Sequence, residues 1–161
     1  MLQICPLDES MRPWAAAILI EHWGSTRIVT RSRIHEADRL PGFVALWNGE
    51  PAGLLTYRIE GTECEIVSLN SLQEGMGIGT ALLEAAMETA RQAGCSRLWL
   101  ITTNDNLPAI GFYQRRNFAI AAVYPNALAE SRRLKPEIPF IGRDGIPLRD
   151  ELELERLLSS A

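Results

Sequence analysis

The stretch that most constrains this chain is a glycine-rich turn placed directly before a helical pattern. It reads QEGMGIG over residues 73–79 and has glycine at three alternate positions, 75, 77 and 79. Glycine permits positive φ angles and lets a ligand approach the main chain closely. The first N–H groups of the following helix point outward, at the positive end of the helix dipole. The pattern predicts an anion-binding cradle suited to a pyrophosphate, and the alternative is a tight turn that binds nothing.

Two common phosphate-binding motifs do not fit this turn. The dinucleotide pattern G-x-G-x-x-G fails because its last position is Thr80 when counted from Gly75, and Leu82 when counted from Gly77. The Walker pattern fails because no Gly-Lys-Ser/Thr occurs at this turn. A nucleotide-binding domain therefore stays a weaker hypothesis.

Periodicity and turn signals predict an α/β protein of one compact domain, residues 1–161. The predicted strands cover 2–7, 42–47, 51–61, 63–69, 96–103, 117–124 and 151–157. The predicted helices are one ending at Gly24, one from the glycine turn to about Ala93, and two within 104–116 and 125–136. The first helix is apolar nearly all round, which predicts that it is buried. Residues 25–40 are ambiguous between extended chain and a short helix.

Composition narrows the function classes further. The net charge of −4 and pI of about 5.3 provide no basic stripe, which disfavours nucleic acid as a partner. Three cysteines and two histidines predict neither a disulfide framework nor a metal cluster, and they fit a reducing cytoplasm. The early apolar run Pro13–Ile20 is too short to span a bilayer, so we expect a soluble protein with no membrane partner.

Two separated motifs resemble the signatures of the GCN5-related N-acetyltransferase (GNAT) superfamily. The family's acetyl-CoA motif, Arg or Gln, two residues, Gly, one residue, then Gly or Ala, compares with EGMGIG over 74–79. Its second motif has an Asn before a short helix with Ala and an aromatic-Tyr pair, then a turn into a Phe-led strand. The matching residues are Asn106, Ala109, Phe112, Tyr113, Asn117 and Phe118. The resemblance covers about residues 63 to 118.

The chain departs from the family pattern at two positions. Glu74 stands where the family prefers Arg or Gln, and a carboxylate gains nothing beside a pyrophosphate. Either Gln73 substitutes for it or Glu74 faces solvent, so the glycine N–H groups must hold the anion. Asn117 replaces the usual Gly, and Asn tolerates the left-handed conformation.

The resemblance implies a GNAT-like fold, a mixed, mostly antiparallel twisted sheet flanked by helices. It also implies acetyl-CoA as cosubstrate, no metal, and transfer of the acetyl group to an amine by direct attack. The coenzyme-binding positions that it implies are Val67, Leu69, Gly75, Met76, Gly77, Ile78, Gly79, Thr80 and Asn106. A strand N–H near Leu69 is then expected to stabilise the tetrahedral oxyanion.

Two side chains are candidates for proton transfer. The resemblance assigns Tyr113 as the acid for the departing thiolate, and the alternative is a core tyrosine that covers the sheet. Glu65 is the candidate base because a period of two places it, with Glu63, on the strand face of Val67 and Leu69. Its alternatives are a strand-end ion pair or a water chain that replaces a single base.

The sequence does not identify the acceptor of the acetyl group. Acidic side chains at the expected reaction centre favour a cationic small amine over an acidic substrate, and a peptide amine is the other class. Residues 125–150 are long enough to shape or cover an acceptor pocket. A homodimer is compatible with the sequence. The rival function is a non-catalytic acyl-CoA-binding or sensing module, which keeps the cradle and lacks the chemistry.

Overall fold

The structure is a computed structural model that describes residues 1–159. Its strands are β1 Leu2–Pro6, β2 Arg27–Thr30, β3 Arg33–Glu36, β4 Gly42–Trp47, β5 Glu50–Glu60, β6 Glu63–Ser71, β7 Arg97–Thr103, β8 Ala119–Tyr124 and β9 Glu151–Leu157. Its α-helices are α1 Arg12–Trp23, α2 Ile78–Gln92, α3 Leu107–Gln114 and α4 Ala127–Leu134. Each predicted strand and helix is confirmed, with bounds that shift by a few residues.

The described chain forms two compact units. The first unit comprises Met1–Ile28, Glu36–Leu98 and the chain from Leu158, and the second comprises Val29–His35 and Trp99–Leu157. In the first unit the strands follow the order β1-β4-β5-β6 with antiparallel pairing throughout. In the second the order is β7-β9-β8, and β8 pairs antiparallel with β9. The fold class is therefore α/β with mixed, mostly antiparallel strands flanked by helices, as predicted. One domain over residues 1–161 stays a prediction.

Helix α1 begins with Pro13 in its first turn and ends where Gly24 adopts a left-handed φ of 78°. The prediction that it is buried all round is wrong. Ala15 and Leu19 are fully buried in a core cluster shared with β4 and β5, whereas Ile20 is 54% exposed. The helix therefore covers the sheet with one side only.

The ambiguous residues 25–40 form a hairpin, β2 and β3, followed by a short 3₁₀ helix, Ala37–Arg39. Arg31 and Ser32 turn the hairpin with φ angles of 48° and 61°. Two-residue hairpin turns with positive φ at both positions usually carry Asn-Gly or Asp-Gly. Because this turn uses neither, its sequence contained no hairpin signal.

Residues 125–150 are held in place within the second unit. Arg132 of α4 donates hydrogen bonds to the carbonyl oxygens of Ile138, Pro139 and Leu148, and its guanidinium stacks on the ring of Phe140. The Asn104 side chain accepts the N–H groups of residues 149 and 150. The long connection is therefore organised around two polar side chains that bind its backbone.

Candidate active site

The glycine turn leaves open space beside its backbone. Gly75 and Gly77 adopt φ angles of 77° and 74°, in the left-handed region that favours glycine. A Cβ atom added to either glycine would meet no atom within 4 Å. The backbone angle therefore favours glycine at both positions, and no other part of the described chain fills the space beside them. Gly79 has a different place, as the second residue of α2.

No side chain caps the N-terminus of α2, and no carboxylate lies in its first turn. Gly77 is its N-cap. The first N–H groups of an α-helix have no intrahelical acceptor, so they are free to donate hydrogen bonds to an anion placed at the helix N-terminus. Gln73 and Glu74 are exposed. An exposed Glu74 matches one of the two alternatives considered for that position.

Packing beneath the turn fixes the direction of α2. Ile78, the first residue of the helix, is 1% exposed. A Cβ on Gly53 of β5 would lie 2.6 Å from Ile78 Cγ2 and 3.0 Å from Leu82 Cδ1, so only glycine at this position allows the close approach. Helix α2 therefore lies on the face of β5 that carries Gly53 and, two residues on, Leu55.

Strand β6 contains a β-bulge at Val67. Ser68 pairs with Thr56 of β5 and Ile66 pairs with Tyr57, so Val67 has no partner residue in the register. A bulge places an extra residue in one strand and breaks the alternation of side chains. The bulge lies within the stretch of β6 where the sequence predicts contacts with the coenzyme.

The bulge changes which residues share a face, and part of the sequence prediction is wrong. Leu69 pairs with Leu55 and so lies on the α2 side of the strand. Val67 packs in the core cluster of α1, on the opposite side. Glu65 pairs with Arg58, whose position two residues after Thr56 places both on the α1 side. Glu65 therefore shares its face with Val67 but not with Leu69.

On the other side of the bulge from Glu65, the α1 side of β6 carries the neutral polar residues Ser68 and Asn70. Ser68 Oγ lies 2.5 Å from Thr56 Oγ1, and both residues are buried. Asn70 Oδ1 accepts the indole N–H of Trp23, at the end of α1, at 2.9 Å. None of these residues was predicted from the sequence as part of the site. Only the bulge at Val67 brings Ser68 to this side, and a single bulge leaves no distinct sequence signal.

Glu65 is a buried carboxylate, 2% exposed. Its Oε1 lies 3.8 Å from Nη1 of Arg58, which is also largely buried. The ion pair matches the structural alternative considered for this residue. The arginine offsets part of the free-energy cost of burying the carboxylate.

Tyr113 lies in α3 and is 6% exposed. Its ring makes edge contacts with Phe112 and Phe118, with centroids 5.1 and 5.3 Å away. Burial raises the pKa of the Tyr113 hydroxyl well above its usual value, so this hydroxyl keeps its proton throughout the physiological range. The ring of Tyr113 is therefore packed in the core, and its hydroxyl keeps a proton that it can donate.

Asn106 is the N-cap of α3, and its side-chain oxygen accepts the N–H of Ala109 at 3.4 Å. This contact gives the residue a structural role that is sufficient to explain it. Coenzyme binding by Asn106 stays a prediction.

The predicted site residues fall into two groups. Glu65, Val67, Leu69 and the glycine turn belong to the first compact unit, and Tyr113 and Asn106 belong to the second. Within residues 1–159 no group of three or more His, Cys, Asp or Glu side chains is arranged to hold a metal ion. None of the helices in that range has the length and apolar character needed to cross a membrane.

A bulged strand, a left-handed glycine turn and an uncapped helix head define a candidate site for an anionic coenzyme. Comparison with known proteins shows which class of protein this is. The acetyltransferase (GNAT) family matches residues 8–118, and the chain belongs to that family.

Three relatives illustrate the range of similarity. The uncharacterized protein YdhI of Bacillus subtilis is 45% identical over 159 residues, which span 98% of this chain and 99% of YdhI. Streptothricin acetyltransferase of Streptomyces lavendulae is 42% identical over 60 residues, 35% of this chain and 32% of that protein. A Bacillus subtilis acetyltransferase solved in complex with CoA has the same fold, with a TM-score of 0.71 and 20% identity over 99% of this chain and all of that one.

Proposed function

We propose that this protein is an acetyl-CoA-dependent N-acetyltransferase that acetylates a primary amine by direct attack. The observation that carries the proposal is the open left-handed turn at Gly75 and Gly77, which leads into a helix head without a capping side chain or an acidic residue. Membership of the GNAT family supports the same activity.

The coenzyme is the group that best fits the turn. The main-chain N–H groups over 75–80 would hold the diphosphate, because adjacent amides at a helix head favour negative charge. The bulge leaves Val67 outside the register with β5, and we assign the amides of the pantetheine arm to main-chain groups near Val67 and Leu69. An acetyltransferase of the same fold has been solved with CoA bound, which supports this assignment.

The reaction needs few groups from the protein. A neutral amine attacks the thioester carbon, a strand N–H near Leu69 stabilises the oxyanion, and the C–S bond then breaks. The amine loses one proton and the thiolate gains one, so no net proton is consumed. We assign the proton for sulfur to Tyr113 and removal of the amine proton to Glu65. The raised pKa of Tyr113 favours recovery of a proton from solvent after the transfer, and Glu65 releases the amine proton to solvent, so both residues return to their starting states.

The cysteines support direct attack over an acetyl-cysteine intermediate. Burial raises the pKa of Cys64 to about 12 and also raises the pKa of Cys95, so neither is a thiolate near neutral pH. Cys5 lies on β1, three strands away from β6 in the first unit, about 14 Å at the usual strand spacing.

The acceptor class that we favour is a cationic small amine. Glu65 and Glu63 both lie on the α1 side of β6, where they pair with Arg58 and Arg97. A cationic amine that replaced either arginine would keep a positive charge beside the carboxylate, which an acidic substrate could not do. The partial similarity to streptothricin acetyltransferase, which is named for a small-molecule acceptor, is consistent with a small molecule. A peptide amine is the second acceptor class.

Two assays test the proposal. A thermal-shift comparison of CoA, ATP and NAD should show stabilisation by CoA alone, and stabilisation by ATP or NAD without CoA would support a nucleotide-binding domain instead. Acetyl-CoA is then incubated with a panel of cationic amines and peptide amines while free thiol is followed. Amine-dependent thiol release supports the enzyme, whereas tight CoA binding without release across the panel would support the sensing module.

A further inference from the structure

Strand β8 has one unpaired edge. It is the last strand in the order β7-β9-β8, and its register with β9 accounts for one edge only. Across the whole stretch from 1 to 159, no strand pairs with the other edge. Alternate N–H and C=O groups of a strand point to each side, so this edge presents donors and acceptors that another strand can bind.

The composition of β8 leaves this edge unprotected. The strand reads AIAAVY and contains neither a charged residue nor proline. Ile120 is 45% exposed and Val123 is 54% exposed. Natural edge strands are usually protected by lysine, by proline or by a cover. Strand β1, which ends the order of strands in the first unit, shows this protection because it terminates in Pro6, which has no N–H donor.

The two faces of β8 carry different side chains. Ile120 and Val123 pair with Leu154 and Leu152 of β9, which alternate to one face of that strand. On the other face Ala119 and Ala122 pair with Glu155 and Glu153. One face of the open edge therefore offers two branched apolar side chains, and the other offers two alanines and, at the end of the strand, Tyr124, which pairs with Glu151.

We propose that β8 of a second copy of this chain pairs with this edge, antiparallel and about a two-fold axis, to form a homodimer. An antiparallel pair of identical strands is self-complementary and uses both open edges, so the assembly closes at two copies. Because the strand is uncharged, identical side chains near the axis do not repel each other. The register that places Ile120 opposite Val123 of the second copy forms two apolar cross-strand pairs on one face.

The bulge at Ala121 is consistent with a discrete dimer. It interrupts the register of β8 between Ile120 and Ala122 and bends the strand. A short, bent edge pairs with one matching strand and is poorly suited to extended stacking. This interface does not depend on the proposed acetyltransferase activity.

Sedimentation velocity of the intact protein over a wide concentration range tests the proposal. The wild type should sediment as a dimer, and Val123→Lys should halve its mass because each introduced lysine would lie opposite Ile120 of the other copy and place a charge in an apolar pair. Leu157→Lys is the matched control: Leu157 is 71% exposed on β9, in the same unit but outside the open edge, so this variant should stay dimeric. Thermal unfolding of each variant confirms that it is folded.

The register is tested separately by cross-linking. A chain carrying both Ile120→Cys and Val123→Cys should form an intermolecular disulfide under mild oxidation, whereas Leu157→Cys should not. A monomeric wild type at all concentrations would overturn the proposal. So would a Val123→Lys variant that stays dimeric, which would place the interface elsewhere, or a mass that grows without limit, which would indicate open-ended pairing.

Discussion

At the scale of single residues, the proton donor is the most direct point to test. Tyr113→Phe keeps the ring contacts with Phe112 and Phe118 and removes only the hydroxyl. We expect kcat to fall on the order of a hundredfold, the lower range for loss of a general acid, with CoA affinity unchanged. Thiol release under saturating acetyl-CoA measures the effect. Unchanged turnover would leave Tyr113 as a core aromatic without a role in proton transfer.

Glu65 is tested by a substitution that keeps its size. Glu65→Gln removes the proton acceptor together with one of the two carboxylates that pair with Arg58, the other being Glu60. If Glu65 is the base, kcat/KM for the amine should fall on the order of a hundredfold. Arg58→Gln is the control, because it breaks the same ion pair and keeps the carboxylate. A loss of similar size in both variants, with equal loss of thermal stability, would show that the pair is structural.

Glu151 provides a residue-scale prediction about pH. It is 2% exposed, and its carboxylate accepts hydrogen bonds from the main-chain N–H and the guanidinium of Arg31. Burial raises the pKa of Glu151 above its usual value, although Arg31 partly opposes the shift. The folded state therefore holds this proton more tightly than the unfolded state does, and the protein loses stability as pH rises through the raised pKa.

The matching variant is Glu151→Gln, which cannot ionise. The free energy of unfolding of the wild type, relative to this variant, should fall between mildly acidic and neutral pH, by about 1.4 kcal/mol for each unit of pKa elevation. Denaturant unfolding at several pH values measures the difference. A relative stability that rises with pH would show that the Arg31 contact outweighs burial.

Residue identities predicted some of this detail. Glycine at 75 and 77 and asparagine at 117 each indicated a left-handed backbone, and all three have positive φ. The pairing of Glu65 with Arg58 was not predictable, because it depends on which residues of two strands stand opposite each other. That register is set by the bulge, which no single residue type indicates.

At the scale of elements, the two ends of α2 provide a matched experiment. Gly77 precedes the helix and Gly94 follows it, with φ angles of 74° and 81°, and added Cβ atoms at both positions would be free of contacts. Gly77→Ala and Gly94→Ala should therefore destabilise the protein by a similar amount, about 1–2 kcal/mol for a left-handed alanine. Only Gly77→Ala should weaken CoA binding, because its methyl group enters the space assigned to the diphosphate.

Calorimetric titration with CoA, together with denaturant unfolding, separates these effects. The difference in CoA affinity between the two variants measures the role of the turn, since the backbone penalty is common to both. Equal CoA affinity in both would mean that the glycine turn does not bind the coenzyme.

Elements were predictable where their local signals were strong. Asn48-Gly49 indicated the hairpin between β4 and β5, and the structure places both residues at positive φ. The hairpin of β2 and β3 was missed because Arg31 and Ser32 make the turn without such a signal. The extent of burial of α1 was overestimated, because the number of apolar residues in a helix does not show how much of its surface the neighbouring elements cover.

At the scale of the whole molecule, the fold was more predictable from the sequence than the acceptor. The glycine turn and the second motif, at 106–118, resemble GNAT signatures and so implied the GNAT fold, and family membership confirms it. The acceptor was not predictable in the same way. It depends on side chains from separate segments, including residues 125–150, whose path is fixed by long-range bonds from Arg132 and Asn104.

The central claim is that main-chain amides of the glycine turn bind the diphosphate of CoA. A crystal structure of the protein grown with CoA tests it most directly. We predict diphosphate oxygens within hydrogen-bond distance of N–H groups in the stretch 75–80, with Gly75 and Gly77 keeping their positive φ angles. A CoA molecule bound elsewhere, or a turn closed by the protein's own side chains in that crystal, would contradict the account.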